Sequence, residues 1–202
     1  MKPLSVKLST SPQSSIKYKH IKLDAFEFNW HCHPEYELMF MQKSRGKRFV
    51  GDNIAFYEKG DLFMIGPNLP HTWYAPAGKL GKNVSHEAIL VQFSGNFAGL
   101  DVNQVPEFKS VRNLFSNAVL GIRFFGAVRD EAAKYLLAME ETEGLERLIL
   151  LMKVLHLLSQ AEPESREILS SIEFTRRFQP GDQSRIDRVC TFINQNYRNT
   201  LK

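Results

Sequence analysis

Near residue 100 the hydrophobic pattern of this chain changes period, from alternation to the roughly 3.6-residue repeat of a helix. Before that point, short stretches rich in aromatic and β-branched residues recur at 15–19, 26–30, 35–41, 47–50, 54–57, 62–65, 72–74 and 87–93. Turn formers stand between them, among them Ser44-Arg45-Gly46, Gly51-Asp52-Asn53, Lys59-Gly60-Asp61 and Gly66-Pro67-Asn68. Many short strands at close spacing argue for an antiparallel barrel or sandwich. No segment of helical length interrupts them, which argues against a parallel sheet built from strand–helix–strand units.

After residue 100 the segments lengthen. Pro106 fits the first turn of a helix reaching about Leu120, with Val111, Leu114, Phe115 and Ala118 on one face. Residues 129–141 place Ala132, Tyr135, Leu136 and Met139 on one stripe, and Gly144 separates them from a second apolar helix over 145–160. So short a break predicts an antiparallel hairpin or one kinked helix. Residues 145–158 are apolar over more than half the circumference. That fits burial on two sides, against the barrel and a second subunit, or burial within one chain. A short helix is expected near 166–172, then a linker. Ser184, with Asp187 three residues on, caps a final helix carrying Ile186, Val189, Cys190, Ile193 and Tyr197 at helical spacing. Nothing follows for that stripe to pack on, so the chain is expected to continue into another domain. The reading is α+β: a β-barrel over 1–100, a helical region over 101–178, and a linker with one helix of a further domain over 179–202.

Composition narrows the class. Of 202 residues, 43% are hydrophobic and 24% charged, the balance of a globular chain long enough to bury a core without disulfides. The longest apolar run, 148–158, is broken by Lys153 and His156, so no membrane span is expected. The first twenty residues show no apolar core of a secretion signal, and there are two cysteines, Cys32 and Cys190. The expectation is a cytoplasmic protein with reduced thiols. Residues 1–100 carry 12 Lys or Arg against 8 Asp or Glu, and residues 101–202 carry 14 of each. Neither half is basic enough to clamp nucleic acid alone.

Chemistry concentrates in His31-Cys32-His33-Pro34-Glu35-Tyr36-Glu37. In one extended strand His31, His33, Glu35 and Glu37 share a face, with Cys32 and Tyr36 on the other. Two imidazoles and a carboxylate suit a transition metal, and His71, after the turn-rich 66–70, is the candidate for a fourth ligand. The spacing His31-x-His33-x-x-x-Glu37, then Gly60, Gly66-Pro67 and His71, resembles the paired motifs of the cupin superfamily. That resemblance implies a small antiparallel β-barrel with His31, His33, Glu37 and His71 facing its interior, where they can hold Zn, Ni, Mn or Fe. Trp73, Phe49, Phe56 and Phe63 suit a barrel core better than ligand-stacking platforms. Of these Trp73 and Phe49, with Glu35, are the expected pocket lining.

A longer resemblance points to function. His33-Pro34-Glu35-Tyr36-Glu37-Leu38, Arg48-Phe49-Val50-Gly51-Asp52, Gly60-Asp61-Leu62, Gly66 through Trp73 and Val91-Gln92-Phe93 resemble the sensor domain of AraC/XylS-type transcription regulators. Residues 185–197 resemble the opening helix of that family's DNA-binding domain. The resemblance implies a non-enzymatic module that senses a small-molecule effector, a sugar at the family level. It implies contact with operator DNA through helix-turn-helix units beyond Lys202, none of them within this chain. Regulators of this type read paired half-sites, so a homodimer is expected, with Leu148, Leu151 and Leu155 at its contact. The alternative is a metal-dependent cupin enzyme, a dioxygenase or sugar isomerase, using His31, His33, Glu37 and His71 with Glu35 as acid or base.

Overall fold

The computed structural model describes residues 3–5, 14–78, 85–96, 102 and 104–177. A six-stranded sheet forms its middle layer. Its order is β11 (Arg166–Ile168), β10 (Ile122–Phe124), β7 (Leu62–Ile65), β4 (Tyr36–Lys43), β9 (His86–Phe93) and β2 (Ile16–Leu23). All its neighbours are antiparallel. A five-stranded sheet lies on one side, in the order β1 (Leu4–Ser5), β3 (His31–Cys32), β8 (His71–Tyr74), β5 (Gly46–Val50) and β6 (Asn53–Tyr57). The helices α1 (Lys109–Ala118), α2 (Gly126–Ala138) and α3 (Gly144–Ser159) cover the other side.

The runs Leu38-Met39-Phe40-Met41 and Leu62-Phe63-Met64-Ile65 lack polar alternation because their strands are buried on both faces. Leu38, Phe40, Leu62 and Met64 join the helices in one core. Met39, Met41, Phe63 and Ile65 join Val50, Tyr57 and Trp73 of the smaller sheet in the other. The fold class is α+β as expected, but the sheets are two open layers and not a closed barrel.

Helix α1 buries Val111, Leu114, Phe115 and Ala118, the face its periodicity predicts. A 3-10 turn, Met139–Glu141, ends α2, and after two intervening residues Gly144 opens α3; the two helices pack on each other as a hairpin. Leu151, Val154, Leu155 and Leu158 are buried against the chain's own core. Leu151 and Leu155 are 0% and 1% exposed, so neither can meet a partner as expected, and Leu148 is half-buried. The exposed large apolar side chains of α3 are Leu145 and Ile149, at 70% and 47%.

Other expectations are corrected. Residues 26–30 form no strand beyond a single bridge from Phe26 to Ala75. Residues 166–168 are a strand and not a helix, because they pair with the unforeseen strand β10 as Ile122↔Ile168, Arg123↔Glu167 and Phe124↔Arg166. Phe56, read as core, stands exposed on β6 with the Lys47 ammonium 5.9 Å from its ring. Cys32 is a buried thiol. The linker and the helix opening at Ser184 lie outside the described residues. Among the described residues no helix is long and apolar enough to cross a membrane.

The last described helix, α4 (Ile172–Arg177), is fastened to the β5–β6 turn. Asp52 accepts hydrogen bonds from Ser170 Oγ (2.9 Å), Ser171 N–H (2.9 Å) and Ser171 Oγ (2.5 Å). Ser171 Oγ in turn accepts from Phe174 N–H and caps α4. Gly51 makes the approach possible: its φ is 58°, and a Cβ there would lie 2.0 Å from Ser170 Oγ.

Candidate metal centre and adjoining cleft

The four residues expected to act together are brought together where the two sheets meet. His31 on β3 lies directly across from His71 on β8. Residues 33–35 then break the strand and carry the chain from the smaller sheet into β4 of the larger one. There Glu37 sits between Ile65 of β7 and Gln92 of β9. One ligand atom from each of His31, His33, Glu37 and His71 lies within 4.8 Å of all the others. The loop ahead of His71 is tied to the first motif by Asn68 N–H, which donates to the His33 carbonyl at 2.7 Å. Gly66 packs against the end of α1, where a Cβ would come within 2.5 Å of the Ala118 carbonyl oxygen.

Hydrogen bonds set the imidazole tautomers. Nδ1 of His31 contacts the Asn29 carbonyl at 2.8 Å, Nδ1 of His33 the Glu35 carbonyl at 3.1 Å, and Nδ1 of His71 the Leu69 carbonyl at 2.8 Å. A carbonyl only accepts, so each Nδ1 carries its proton; in the metal-free chain Nε2 of His33 meets the Glu37 carboxylate only as a donor, and a bound metal would take the place of that proton. Nε2 of His33 lies 3.0 Å from Glu37 Oε2, and Nε2 of His71 lies 3.5 Å from Glu37 Oε1. Gln92 Nε2 donates to Glu37 Oε2 at 2.9 Å.

Burial pushes the Glu37 carboxyl up, but the neighbouring imidazoles of His71 and His33 outweigh it and hold the group well below the usual carboxylate range. Burial lowers His33, but hydrogen bonding to Glu37 and the charges of Glu37 and Glu35 raise it above the ordinary histidine value. His31 falls to about 4, through burial first and the proximity of His71 second. At neutral pH Glu37 is therefore anionic and His31 a neutral ligand.

The residues fit a transition metal. Glu37 Oε1 and His71 Nε2 are buried without a hydrogen-bond partner, and a cation among the four groups would satisfy both. Imidazole nitrogens with one carboxylate suit Zn, Ni, Mn or Fe, whereas Ca and Mg prefer oxygen shells.

A cleft of about 770 Å³ adjoins the cluster. His31, Glu37 and Gln92 form part of its wall, as do Phe26, Phe28 and Trp73. Of the expected lining residues, Trp73 is there and Glu35 and Phe49 are not. The break at 33–35 takes Glu35 out of the shared face, and its carboxylate lies 3.6 Å from His33 Nδ1, the nitrogen on the far side of that ring from Glu37. Phe49 stands behind the wall, meeting Phe28 edge-on at 5.0 Å. Two contributors went unread in the sequence. Gln92 is a buried amide between apolar neighbours, which is the signal that could have found it. The 23–29 segment, which forms much of the wall, has no such signal.

No protein-family model and no curated protein matches the sequence. Among solved structures the chain is similar to a cupin 2 conserved barrel domain protein from Rhodopseudomonas palustris, at 17% identity over 43% of this chain and 57% of that one, with a TM-score of 0.33. It is similar to oxalate decarboxylase from Bacillus subtilis at 22% identity, over 43% of this chain and 22% of that one, with a TM-score of 0.33. Its similarity to the AraC-like transcriptional activator CuxR extends over 84% of this chain and 54% of that one, at 11% identity and a TM-score of 0.40. The chain thus spans little more than half the length of the cupin 2 protein and of CuxR.

Proposed function

We propose that this chain is the effector-binding part of a cytoplasmic AraC-type transcription regulator, a small molecule occupying the cleft beside the His31, His33, Glu37 and His71 cluster. The observation that carries the reading is that cleft, preformed between two packed sheets and ending on convergent polar groups. The regulator class rests on the motifs between His33 and Trp73 and on residues 185–197. A divalent transition metal held by the four side chains would supply a Lewis-acidic anchor for an oxygen of the effector. Gln92 fixes the Glu37 carboxylate, and the three backbone carbonyls hold the imidazoles in the ligating tautomer. A displacement of His71 has a short path to α4, through Gly51 N–H on the Pro70 carbonyl and Asp52 on Ser170 and Ser171. Residues after α4 would carry it to operator-binding units beyond Lys202. A homodimer suits paired half-sites, and the exposed Leu145 and Ile149 strip on α3 is its proposed contact.

The effector acts only if it binds one arrangement more tightly than the other. Operator titrations of the full-length protein test this, with and without effector. A shift in operator affinity supports the reading. A full-length protein that binds no operator, or binds it identically with its cleft filled, refutes it. The unpartnered Glu37 Oε1 and His71 Nε2 beside an open cleft favour a second reading, a metal-dependent enzyme such as a dioxygenase or sugar isomerase. Glu35, its expected acid or base, is absent from the cleft wall. Turnover by the metal-loaded chain would establish that reading.

A further inference from the structure

A strand at the edge of a sheet carries a row of main-chain donors and acceptors that invites another strand, and charge or brevity ordinarily blunts it. Of the four sheet edges among the described residues, three are blunted. β1 has two residues, β11 has three, of which Arg166 and Glu167 are charged, and β2 carries Lys17, Lys19 and Lys22. The fourth is β6, whose five residues, Asn53-Ile54-Ala55-Phe56-Tyr57, carry no charge. Ile54 and Phe56 stand 66% and 64% exposed on the face turned from the core. The two-residue turn Gly51-Asp52 fixes the hydrogen-bond phase of the β5–β6 hairpin. Val50 and Asn53 close the turn, so Asn53, Ala55 and Tyr57 bond to β5, and Ile54 and Phe56 direct their N–H and C=O groups outward along the edge.

We propose that β6 is a contact between copies of this chain: two copies pair antiparallel along it, about a two-fold axis at Ala55, and join their smaller sheets into one. The proposal rests on neither the metal nor the regulator reading. It is also separate from the contact proposed on α3, which covers the far side of the larger sheet. In this register Ile54 and the partner's Phe56 exchange two main-chain hydrogen bonds, and the symmetry doubles them. Each Ile54 side chain comes to lie beside the partner's Phe56, a β-branched and aromatic pair of the kind that stabilises antiparallel strands. Ala55, on the axis, is small enough for the two backbones to meet at a non-hydrogen-bonded position, where paired strands are closest. Charge favours a second copy over an unrelated strand. β6 runs from Asp52, in its turn, to a corner of Lys43, Arg45 and Lys59 with Glu58. Antiparallel pairing sets the partner's Asp52 against that net positive corner, and the two-fold repeats the match at the other end. A few main-chain hydrogen bonds and two apolar pairs make a small contact, so association in the micromolar range is expected.

The test is cross-linking and sedimentation of the full chain carrying Cys190→Ser, which leaves only the buried Cys32 thiol. Ala55→Cys places two thiols across the axis at a Cα separation of about 4.5 Å, within disulfide range, whereas Ile54→Cys leaves a diagonal of about 7–8 Å. Under mild oxidation at micromolar concentration, Ala55→Cys should form a covalent dimer at least about tenfold faster than Ile54→Cys. Equal rates, or no covalent dimer, overturn the proposal. Sedimentation velocity separates this contact from the one on α3. Ile149→Glu should still dimerise, and adding Ile54→Lys should leave a monomer that circular dichroism shows to be folded. Ile54→Pro in the same background should do likewise, because it removes an outward N–H and none that serves β5. An Ile149→Glu chain that is monomeric, or a dimer indifferent to both changes at Ile54, overturns the proposal. Association of the wild type that is lost entirely on Ile54→Lys supports it and refutes the α3 contact.

Discussion

Replacing Gln92 by leucine tests whether its amide positions Glu37. The two residues are directly opposite on β4 and β9 and are 7% and 2% exposed. The amide donates at 2.9 Å to Glu37 Oε2, the oxygen that also faces His33. A hydrogen bond to a charged group contributes about 1.5–3 kcal/mol. Leucine fills a similar volume and regains part of this through apolar burial, at about 25 cal/mol per Å². A net loss of about 1–2 kcal/mol remains, which in a chain of this size lowers Tm by about 2–8 °C. The carboxylate also loses its fixed orientation, and partners that orient a metal ligand are worth about 10–100-fold in metal affinity. Thermal melts by circular dichroism and zinc titration against a chromophoric chelator read both quantities. Gln92→Glu sharpens the comparison, since a second carboxylate against Glu37 should melt the metal-free chain below Gln92→Leu. Zinc affinity and Tm both unchanged in Gln92→Leu would show that Glu37 is held by something else.

The remaining predictions address the cluster, the core, the helix anchor and alkaline stability. His33→Ala and His71→Ala should each abolish equimolar transition-metal binding in chain purified without a His-tag, while circular dichroism shows the fold intact; undiminished metal would remove the cluster from the site. Leu151→Glu should fail to fold, because a carboxylate at a fully buried position costs several kcal/mol, whereas Ile149→Glu should stay folded. Sedimentation of Ile149→Glu then reports whether the exposed strip of α3 joins two copies, and a folded Leu151→Glu would contradict the assigned core. Asp52→Ala should speed amide exchange at residues 171–174 and leave zinc affinity unchanged; its cost to global stability should stay near about 1 kcal/mol, since the carboxylate is exposed. Burial pushes the Tyr57 phenol up to about 12, against the opposing hydrogen bond with Ser44. Because the folded value lies above the unfolded value of about 10, this stabilisation is complete below about pH 10 and is lost as pH rises through about 12. Denaturant midpoints at about pH 9 and pH 11 should differ less in Tyr57→Phe than in the wild type, and parallel losses would reject the assignment.

What the sequence revealed follows from which signals are local. The faces of α1 and α2 were legible because a 3.6-residue repeat is written into consecutive residues such as Val111, Leu114, Phe115 and Ala118. The cluster was legible because His31, His33 and Glu37 are close in sequence and His71 follows a turn-rich stretch. Glu35 was misplaced by treating 31–37 as one strand, when Pro34 and the bend around it carry the chain from one sheet to the other. Strands β10 and β11 had no local signal; three residues become a strand there because β7 offers an edge to pair with. Leu151 and Leu155 illustrate a different limit. An apolar helix face records that burial occurs and not whether the cover is the same chain or another, and here the cover is α1, α2 and the larger sheet.

The placement of the site between unequal layers bears on how a bound molecule could act. Glu37 and Gln92 belong to strands packed on both faces, where Leu38, Phe40 and Val91 meet the helices and Met39 and Ala88 meet the smaller sheet. Moving those strands would disturb two close-packed cores at once. His31 and His71 belong to the smaller sheet, in short strands of two and four residues. Under the regulator reading, a ligand drawing the four side chains together would act on the shorter strands of the smaller sheet and on the loop ahead of His71. That loop reaches α4 within a few residues, because Pro70 accepts from Gly51, and Asp52 beside it holds the cap of the helix. Under the regulator reading, the stiffness of the larger sheet gives the smaller one something to move against.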